Sequence, residues 1–264
     1  MKRLFGMILL LAVAFPMTVS AEVNTQWRAG ILRYFETTTG ETLDVVAPVK
    51  IFENYTRPVG LITTVTTNVS FAAVNSGSLK ILSATGGEAT VTLGAADNDD
   101  AEIATELIFW SGKFCAAEAR VALSTTTCGF NFGFTDAKDE IADKMPCDYA
   151  TATLTSTASN CAVFFYDSDA TTDDLYCVSV KDDTDGTVTD TGTAGAAGTY
   201  HVYRVEIDDS GNCDFYLDGV HIYQEATGIS THVPLCGYLG FIRRDGATGS
   251  VTGKVSYLRV WQKR

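Results

Sequence analysis

The sequence is short of basic residues. Its 264 residues contain 19 lysines and arginines against 32 aspartates and glutamates, which gives a formal net charge of −13. Non-specific binding to nucleic acid requires a basic surface that attracts phosphate. Anionic membrane surfaces repel a protein this acidic. The charge balance therefore excludes nucleic acid and membrane surfaces as general partners.

Histidines are also few, and closely spaced cysteines are absent. The chain has three histidines, and none of its seven cysteines belongs to a C-x-x-C pair. Structural zinc sites are usually built from such pairs, so none is expected here. Two roles stay open for the cysteines: disulfides, which export would favour, and small buried hydrophobic residues on strands. The seven are Cys115, Cys128, Cys147, Cys161, Cys177, Cys213 and Cys236.

Long apolar runs are missing beyond the first 21 residues. Lys2 and Arg3 precede about twelve apolar residues, a run shorter than the roughly 20 that span a bilayer. Val19 and Ala21 suit the small-residue positions of a signal-peptidase site. The sequence predicts a signal peptide over 1–21 and a secreted or extracytoplasmic product, with a retained membrane anchor or a mis-assigned start codon before Glu22 as the alternatives.

Short apolar and β-branched runs fill the remaining chain, separated by Gly, Asn, Asp and Thr clusters. About fifteen such runs with short connections predict an all-β fold, an antiparallel two-sheet jelly-roll sandwich. Residues 61–264 form the predicted domain. Residues 22–60 are predicted to be an N-terminal arm or added strands, because about forty residues make a poor independent core.

Two hairpins can be predicted in detail. Asp218-Gly219 lies between two alternating runs, and this dipeptide favours the tight turn whose two central residues have positive φ. The runs 161–166 and 175–180 flank an acidic loop. If that loop is symmetric, Phe165 faces Tyr176 and Tyr166 faces Leu175 across the ladder.

Four sequence blocks resemble one superfamily. Residues 200–208 (YHVYRVEID), 211–219 (GNCDFYLDG) and 253–262 (GKVSYLRVWQ) are similar to strands of concanavalin A-like lectins and glucanases, in their laminin-G-like jelly-roll branch, and residues 114–121 (FCAAEARV) are similar to an early strand. The resemblance implies a concanavalin A-like sandwich with a carbohydrate-related role.

A narrower likeness concerns virus particles. Residues 99–105 (DDAEIAT), 132–140 (FGFTDAKDE) and 181–185 (KDDTD) together resemble structural proteins of tailed bacteriophages. This resemblance implies a virion location and other virion proteins as partners, which conflicts with the predicted signal peptide.

The catalytic acids of the laminarinase-like glucanases are missing. Those enzymes carry Glu-x-Asp-x-x-Glu on one strand, where alternate carboxylates share a face. Glu206 and Asp208 match the first two positions, but Gly211 replaces the second glutamate; Glu140 is followed by Ala142 and Met145. The sequence therefore predicts a protein that is not an enzyme, with Glu206 and Asp208 on a solvent-facing strand surface.

The candidate site residues are aromatic and acidic. A glycan needs an aromatic platform beside a few polar groups on a rigid scaffold. The proposed platform residues are Tyr166, Tyr176, Trp110 and Tyr238. Calcium prefers six to eight oxygen ligands, often from alternating loop positions, and the candidate Ca²⁺ ligands are Asp182, Asp183 and Asp185.

The predicted function is thus a non-catalytic, exported or surface-displayed recognition module that binds carbohydrate such as a polysaccharide or cell-surface glycan. The alternatives are a bacteriophage virion structural or decoration protein, and a glycoside hydrolase or polysaccharide lyase.

Overall fold

The computed structural model describes residues 88–138, 145–244, 246–247 and 249–262, together with the backbone of five earlier strands. The predicted signal peptide lies outside the described residues, as does most of 22–60. The strands are β1 (Val23–Arg28), β2 (Ile31–Glu36), β3 (Val49–Asn54), β4 (Val69–Ala73), β5 (Ser78–Leu82), β6 (Glu88–Thr92), β7 (Asp100–Thr105), β8 (Phe109–Trp110), β9 (Cys115–Leu123), β10 (Cys128–Thr135), β11 (Cys147–Ala150), β12 (Thr153–Ser156), β13 (Cys161–Asp167), β14 (Asp174–Lys181), β15 (Thr184–Asp185), β16 (Thr189–Ala194), β17 (His201–Ile207), β18 (Cys213–Leu217), β19 (Val220–Glu225), β20 (Pro234–Arg243) and β21 (Thr252–Gln262). Among these residues no helix is long and apolar enough to span a bilayer.

Two antiparallel sheets form the sandwich. Sheet 1 has the order β15-β14-β13-β10-β20-β7-β4, with β16 on β14 and β8 on β20. Sheet 2 has the order β19-β18-β17-β9-β21-β6-β5, with β3 on β21. The central strands of both sheets pair with partners distant in sequence, as a jelly roll requires. The predicted all-β, two-sheet architecture is confirmed.

Aromatic rings fill the space between the sheets. Alternate residues of β10 point inward, so that Phe130, Phe132 and Phe134 are buried in the main core. The ring of Tyr203 from sheet 2 lies 5.0 Å from that of Phe130 and 5.5 Å from that of Phe164. This aromatic layer holds the two sheets together.

The outer face of sheet 1 carries a second apolar cluster. It lies on β13 and β14, and side chains of the β11–β12 hairpin and of the segment that follows it pack there. The ring of Tyr149 on β11 lies 5.5 Å from that of Phe165 and 5.2 Å from that of Tyr176. Because both faces of β13 are covered, its sequence reads as an uninterrupted apolar run.

The two hairpin predictions can be compared with the backbone. Asp218 and Gly219 have φ of 50° and 79° and connect Leu217 directly to Val220, which is the predicted tight turn. Phe165 pairs with Tyr176, also as predicted, and their rings stack at 5.4 Å.

Asp218 also binds groups on the neighbouring strand. Its carboxylate accepts hydrogen bonds from the Val202 amide (2.8 Å) and from Nδ1 of His201 (2.7 Å). Burial opposes ionisation of this carboxyl, but the two hydrogen bonds outweigh burial and hold the pKa of Asp218 below its ordinary value.

Acid should therefore weaken the fold through Asp218. A depressed carboxyl pKa stabilises the folded state above the unfolded pKa of about 4, and this stabilisation disappears as the pH falls through the lower folded value. Asp218→Asn keeps the turn preference while removing the charge. We expect wild type to exceed the variant in stability at pH 6, and the difference to approach zero near pH 2, in urea unfolding at each pH. A difference independent of pH would contradict this.

Candidate functional site: a charged sheet face and an exposed tryptophan

Charged residues line the outer face of sheet 2. Tyr203, Val205 and Ile207 point into the core as the alternation predicts, so Arg204 and Glu206 point outward. The register places Arg204 between Tyr216 on β18 and Glu118 on β9, and Glu118 in turn faces Arg259 on β21. The result is a row of polar and charged side chains across four central strands.

Glu118 is the centre of this row and is fully buried. Its Oε1 accepts a hydrogen bond from the Tyr257 hydroxyl at 3.2 Å and lies 3.4 Å from Nη1 of Arg259. Its Oε2 lies 3.9 Å from Nη1 of Arg204. Arginine suits this position because its charge persists when buried and its several donors can satisfy more than one acceptor.

Glu206 is held by the same arginine. Its Oε1 lies 3.3 Å from Nε of Arg204, and the glutamate is only 1% exposed. The expectation of a solvent-facing Glu206 is therefore wrong: the residue does point away from the core, but that face of the sheet is buried too. Asp208 lies half-buried in the β17–β18 turn, where it accepts hydrogen bonds from Asn212.

Tyrosine rings on and beside this face are covered by guanidinium groups. Arg204 lies 4.2 Å from the ring centre of Tyr216, and Arg259 lies 4.3 Å from that of Tyr257. At these distances the cation is attracted to the ring face. The arginines thus pack on tyrosine rings that are themselves buried, as part of the same charged row.

The arrangement does not resemble a glycosidase acid pair. Such a pair needs one carboxyl kept protonated as the general acid. Glu118 is instead an ion-pair partner of Arg204 and Arg259, and Glu206 is an ion-pair partner of Arg204. Sequence reasoning missed Glu118 and Arg259; the only available signal was charged residues at alternate positions of otherwise apolar strands.

Trp110 is the predicted platform residue that is accessible, with 43% of its surface exposed. It lies on β8, opposite Pro234 on β20. Its backbone amide donates to Oε1 of Gln262 at 2.5 Å, and its carbonyl accepts from the Lys113 amide at 2.9 Å. The backbone that carries the ring is thus fixed from two sides.

The turn after Trp110 is attached to the segment before β20. The Ser111 hydroxyl donates to the Ser230 carbonyl at 2.5 Å and accepts from the Val233 amide at 3.0 Å. Gly112 lies against His232, whose ring would touch a Cβ at 3.4 Å. Lys113 and His232 are exposed. This part of the surface therefore combines an indole with an ammonium and an imidazole on one fixed pair of loops.

The other three predicted platform residues are core residues, which corrects the prediction. Tyr166 is fully buried, with its hydroxyl donating to the Thr126 carbonyl at 2.7 Å. Tyr238 is 3% exposed, and its ring covers Gly240. Tyr176 is 6% exposed and stacks on Phe165. The prediction failed because both faces of sheet 1 are covered here, so neither set of alternate residues reaches the surface.

The three candidate calcium ligands do not converge. Each accepts a hydrogen bond from a different serine: Asp182 from Ser230 (2.6 Å), Asp183 from Ser159 (2.5 Å) and Asp185 from Ser156 (2.8 Å). The part of the chain that the structure describes contains no group of three or more histidine, cysteine or acidic residues able to hold a metal ion. The predicted Ca²⁺ geometry at this turn is therefore corrected: its aspartates bind serine hydroxyls that tie it to other loops.

Comparison with known proteins finds similar structures but no similar sequences. No family model matches the sequence, and no curated protein matches it. Among solved structures, a Bacillus licheniformis β-glucanase matches with a TM-score of 0.53 and 11% identity, over 81% of this chain and 98% of that one. The carbohydrate recognition domain of Emp47p matches with a TM-score of 0.55 and 11% identity, over 80% and 94%. An endo-β-1,4-glucuronan lyase from the fungus Trichoderma reesei matches with a TM-score of 0.54 and 11% identity, over 80% and 94%.

These structures share the two-sheet sandwich with the present chain at low sequence identity, so the likeness concerns architecture. The strand order described above and the resemblance of the four sequence blocks agree with it. The chain therefore has a concanavalin A-like jelly-roll fold.

Proposed function

We propose that the protein is a non-catalytic carbohydrate-recognition module and that Trp110 is its sugar-stacking residue. The observation that carries the proposal is the exposed indole on a turn fixed by hydrogen bonds to Gln262, Ser230 and Val233. A rigid aromatic surface beside polar groups is what stacking against a sugar ring requires. Lys113 and His232 supply hydrogen-bond donors on the same loops.

Two further observations bear on the choice between recognition and turnover, and the second of them favours recognition. The similar structures include a carbohydrate recognition domain as well as glucanases and a lyase, so the fold is used with carbohydrates in both ways. Glu118 and Glu206 are each ion-paired with arginine, which suits a structural network better than acid catalysis.

A glycan array tests the proposal. We expect wild type to bind at least one polysaccharide, and Trp110→Ala to weaken that binding by about 30-fold or more, because removing a stacking aromatic typically costs about 2 kcal/mol. Leu107→Ala is the matched control, since Leu107 is an exposed apolar residue three positions away and should leave binding unchanged. Equal binding by wild type and Trp110→Ala would show that Trp110 is not part of the glycan-binding site.

Catalysis is the second candidate, because several of the similar structures are glycoside hydrolases and one is a lyase. Incubation with β-glucans and with glucuronan, followed by assays for reducing ends and unsaturated uronates, separates the two functions. If wild type forms product and Glu206→Gln does not, catalysis replaces recognition as the proposed function.

The predicted export is tested by N-terminal sequencing of the protein, and the predicted virion location is tested by mass spectrometry of purified particles.

A further inference from the structure

Two buried cysteines on different elements are in contact. Sγ of Cys147 at the start of β11 lies 3.5 Å from Sγ of Cys161 at the start of β13. All seven cysteines lie in the described part of the chain, and this is the one hydrogen-bonding contact between two thiols there. The thiols of Cys128, Cys213 and Cys236 instead donate to backbone carbonyls.

We propose that Cys147 and Cys161 form a disulfide that attaches the β11–β12 hairpin to sheet 1. A disulfide has a sulfur–sulfur distance of about 2.05 Å, so the two sulfur atoms must approach by about 1.5 Å. Rotation about the Cα–Cβ bonds can supply a movement of this size, because both sulfur atoms already face each other across the same apolar cluster.

The backbone around both cysteines is already fixed. The buried side chain of Asn131 on β10 bridges Cys147: its Oδ1 accepts from the Cys147 amide and its Nδ2 donates to the Cys147 carbonyl, each at 2.9 Å. Cys161 is held in the ladder between Thr135 and Val180. Two thiols held in this way have a high effective concentration relative to each other, which favours an intramolecular bond.

The reaction is ordinary thiol–disulfide exchange with a small disulfide such as oxidised glutathione as the oxidant. The thiolate of one cysteine attacks the oxidant, forms a mixed disulfide and releases one glutathione thiolate. The thiolate of the second cysteine then attacks the protein sulfur of the mixed disulfide and releases the second glutathione. The protein loses two protons and two electrons, and oxidised glutathione becomes two molecules of reduced glutathione.

The timing of the reaction follows from the surroundings of Cys147. Its hydrogen bond to Cys161 and its burial both raise the pKa of the Cys147 thiol well above the ordinary value. The thiolate is the nucleophile, so exchange is slow once the hairpin has packed on sheet 1. The bond is therefore expected to form during folding, and the folded protein then protects it from reductants.

Peptide mapping tests this pairing. The protein is refolded with a mixture of reduced and oxidised glutathione, alkylated in denaturant without reduction, and digested with chymotrypsin, which cleaves after Tyr149 or Leu154 between the two cysteines. We expect a linked pair of peptides containing Cys147 and Cys161, five alkylated cysteines, and a melting temperature about 6–12 °C above that of the reduced protein. The shift follows from closing a loop of about 15 residues in a domain of this size.

Cysteine-to-alanine variants test the same pairing through the melting temperature, a measurement that does not depend on how much protein refolds. Cys147→Ala and Cys161→Ala should each abolish the oxidant-dependent shift, whereas Cys236→Ala, which removes an equally buried thiol bonded to a carbonyl, should retain it. Seven alkylated cysteines after refolding with the oxidant, or a linked peptide that joins a different pair, would overturn the proposal.

Discussion

Glu118→Ala is expected to destabilise the protein by about 3–5 kcal/mol, the usual cost of removing one partner from a buried ion pair. The substitution leaves Arg204 and Arg259 on the outer face of sheet 2 without the carboxylate that lies between them. It also removes the acceptor of the Tyr257 hydroxyl. Urea unfolding followed by tryptophan fluorescence measures the loss.

A conservative substitution at Glu118 and a surface control are compared with this loss of stability. Glu118→Gln keeps the shape and one carbonyl oxygen, so it should lose less stability than Glu118→Ala. Val220→Ala changes the most exposed large apolar side chain among the described residues and should stay within about 0.5 kcal/mol of wild type. If Glu118→Ala were as stable as Val220→Ala, the charged row would not be a structural network.

Gly133→Ala is expected to be as damaging, for a steric reason. Gly133 lies in the middle of β10 with φ of 153°, a conformation that L side chains rarely adopt. A Cβ there would overlap the backbone carbonyl oxygen of Ala162 on β13. Strain and overpacking together predict a loss of about 2–6 kcal/mol in urea unfolding.

Gly192→Ala is the matched control. Gly192 also has a positive φ, of 70°, but nothing lies within 4 Å of an added Cβ. The Gly192→Ala substitution should cost only the strain of placing an L residue in a left-handed backbone conformation, about 1–2 kcal/mol. Equal losses at the two positions would show that the contact between β10 and β13 is looser than described.

Local patterns predicted the fold well. The Asp218-Gly219 turn and the facing of Phe165 and Tyr176 follow from turn chemistry and the two-residue period of strands, and both are present. The all-β sandwich follows from the number and spacing of short apolar runs. These features depend on neighbours in sequence or on a single ladder, which is why the sequence specifies them.

The site was harder to predict because burial depends on what covers a sheet. Alternation correctly assigned Glu206 to the face opposite Tyr203, but it does not say whether that face meets water or protein. The same difficulty placed Tyr176 at the rim, although the β11–β12 hairpin covers its face of sheet 1, whereas Tyr166 points into the main core. Pairing of Glu118 with Arg204 and Arg259 joins residues more than eighty positions apart through strand order, which no local pattern reveals.

Sugar stacking on Trp110 can be measured by the tryptophan fluorescence of wild type and of Trp110→Phe during titration with a glycan selected on the array. Of the three tryptophans, Trp110 is exposed, Trp261 is buried and the side chain of Trp27 lies outside the described residues. A sugar stacking on Trp110 should shift the wild-type emission to shorter wavelength, and Trp110→Phe shows which part of any shift comes from Trp110. We expect this shift in wild type and no such shift in Trp110→Phe, which retains a ring and hence part of the affinity. A shift of the same size in both proteins, or glycan binding with no shift in wild type, would contradict recognition through Trp110.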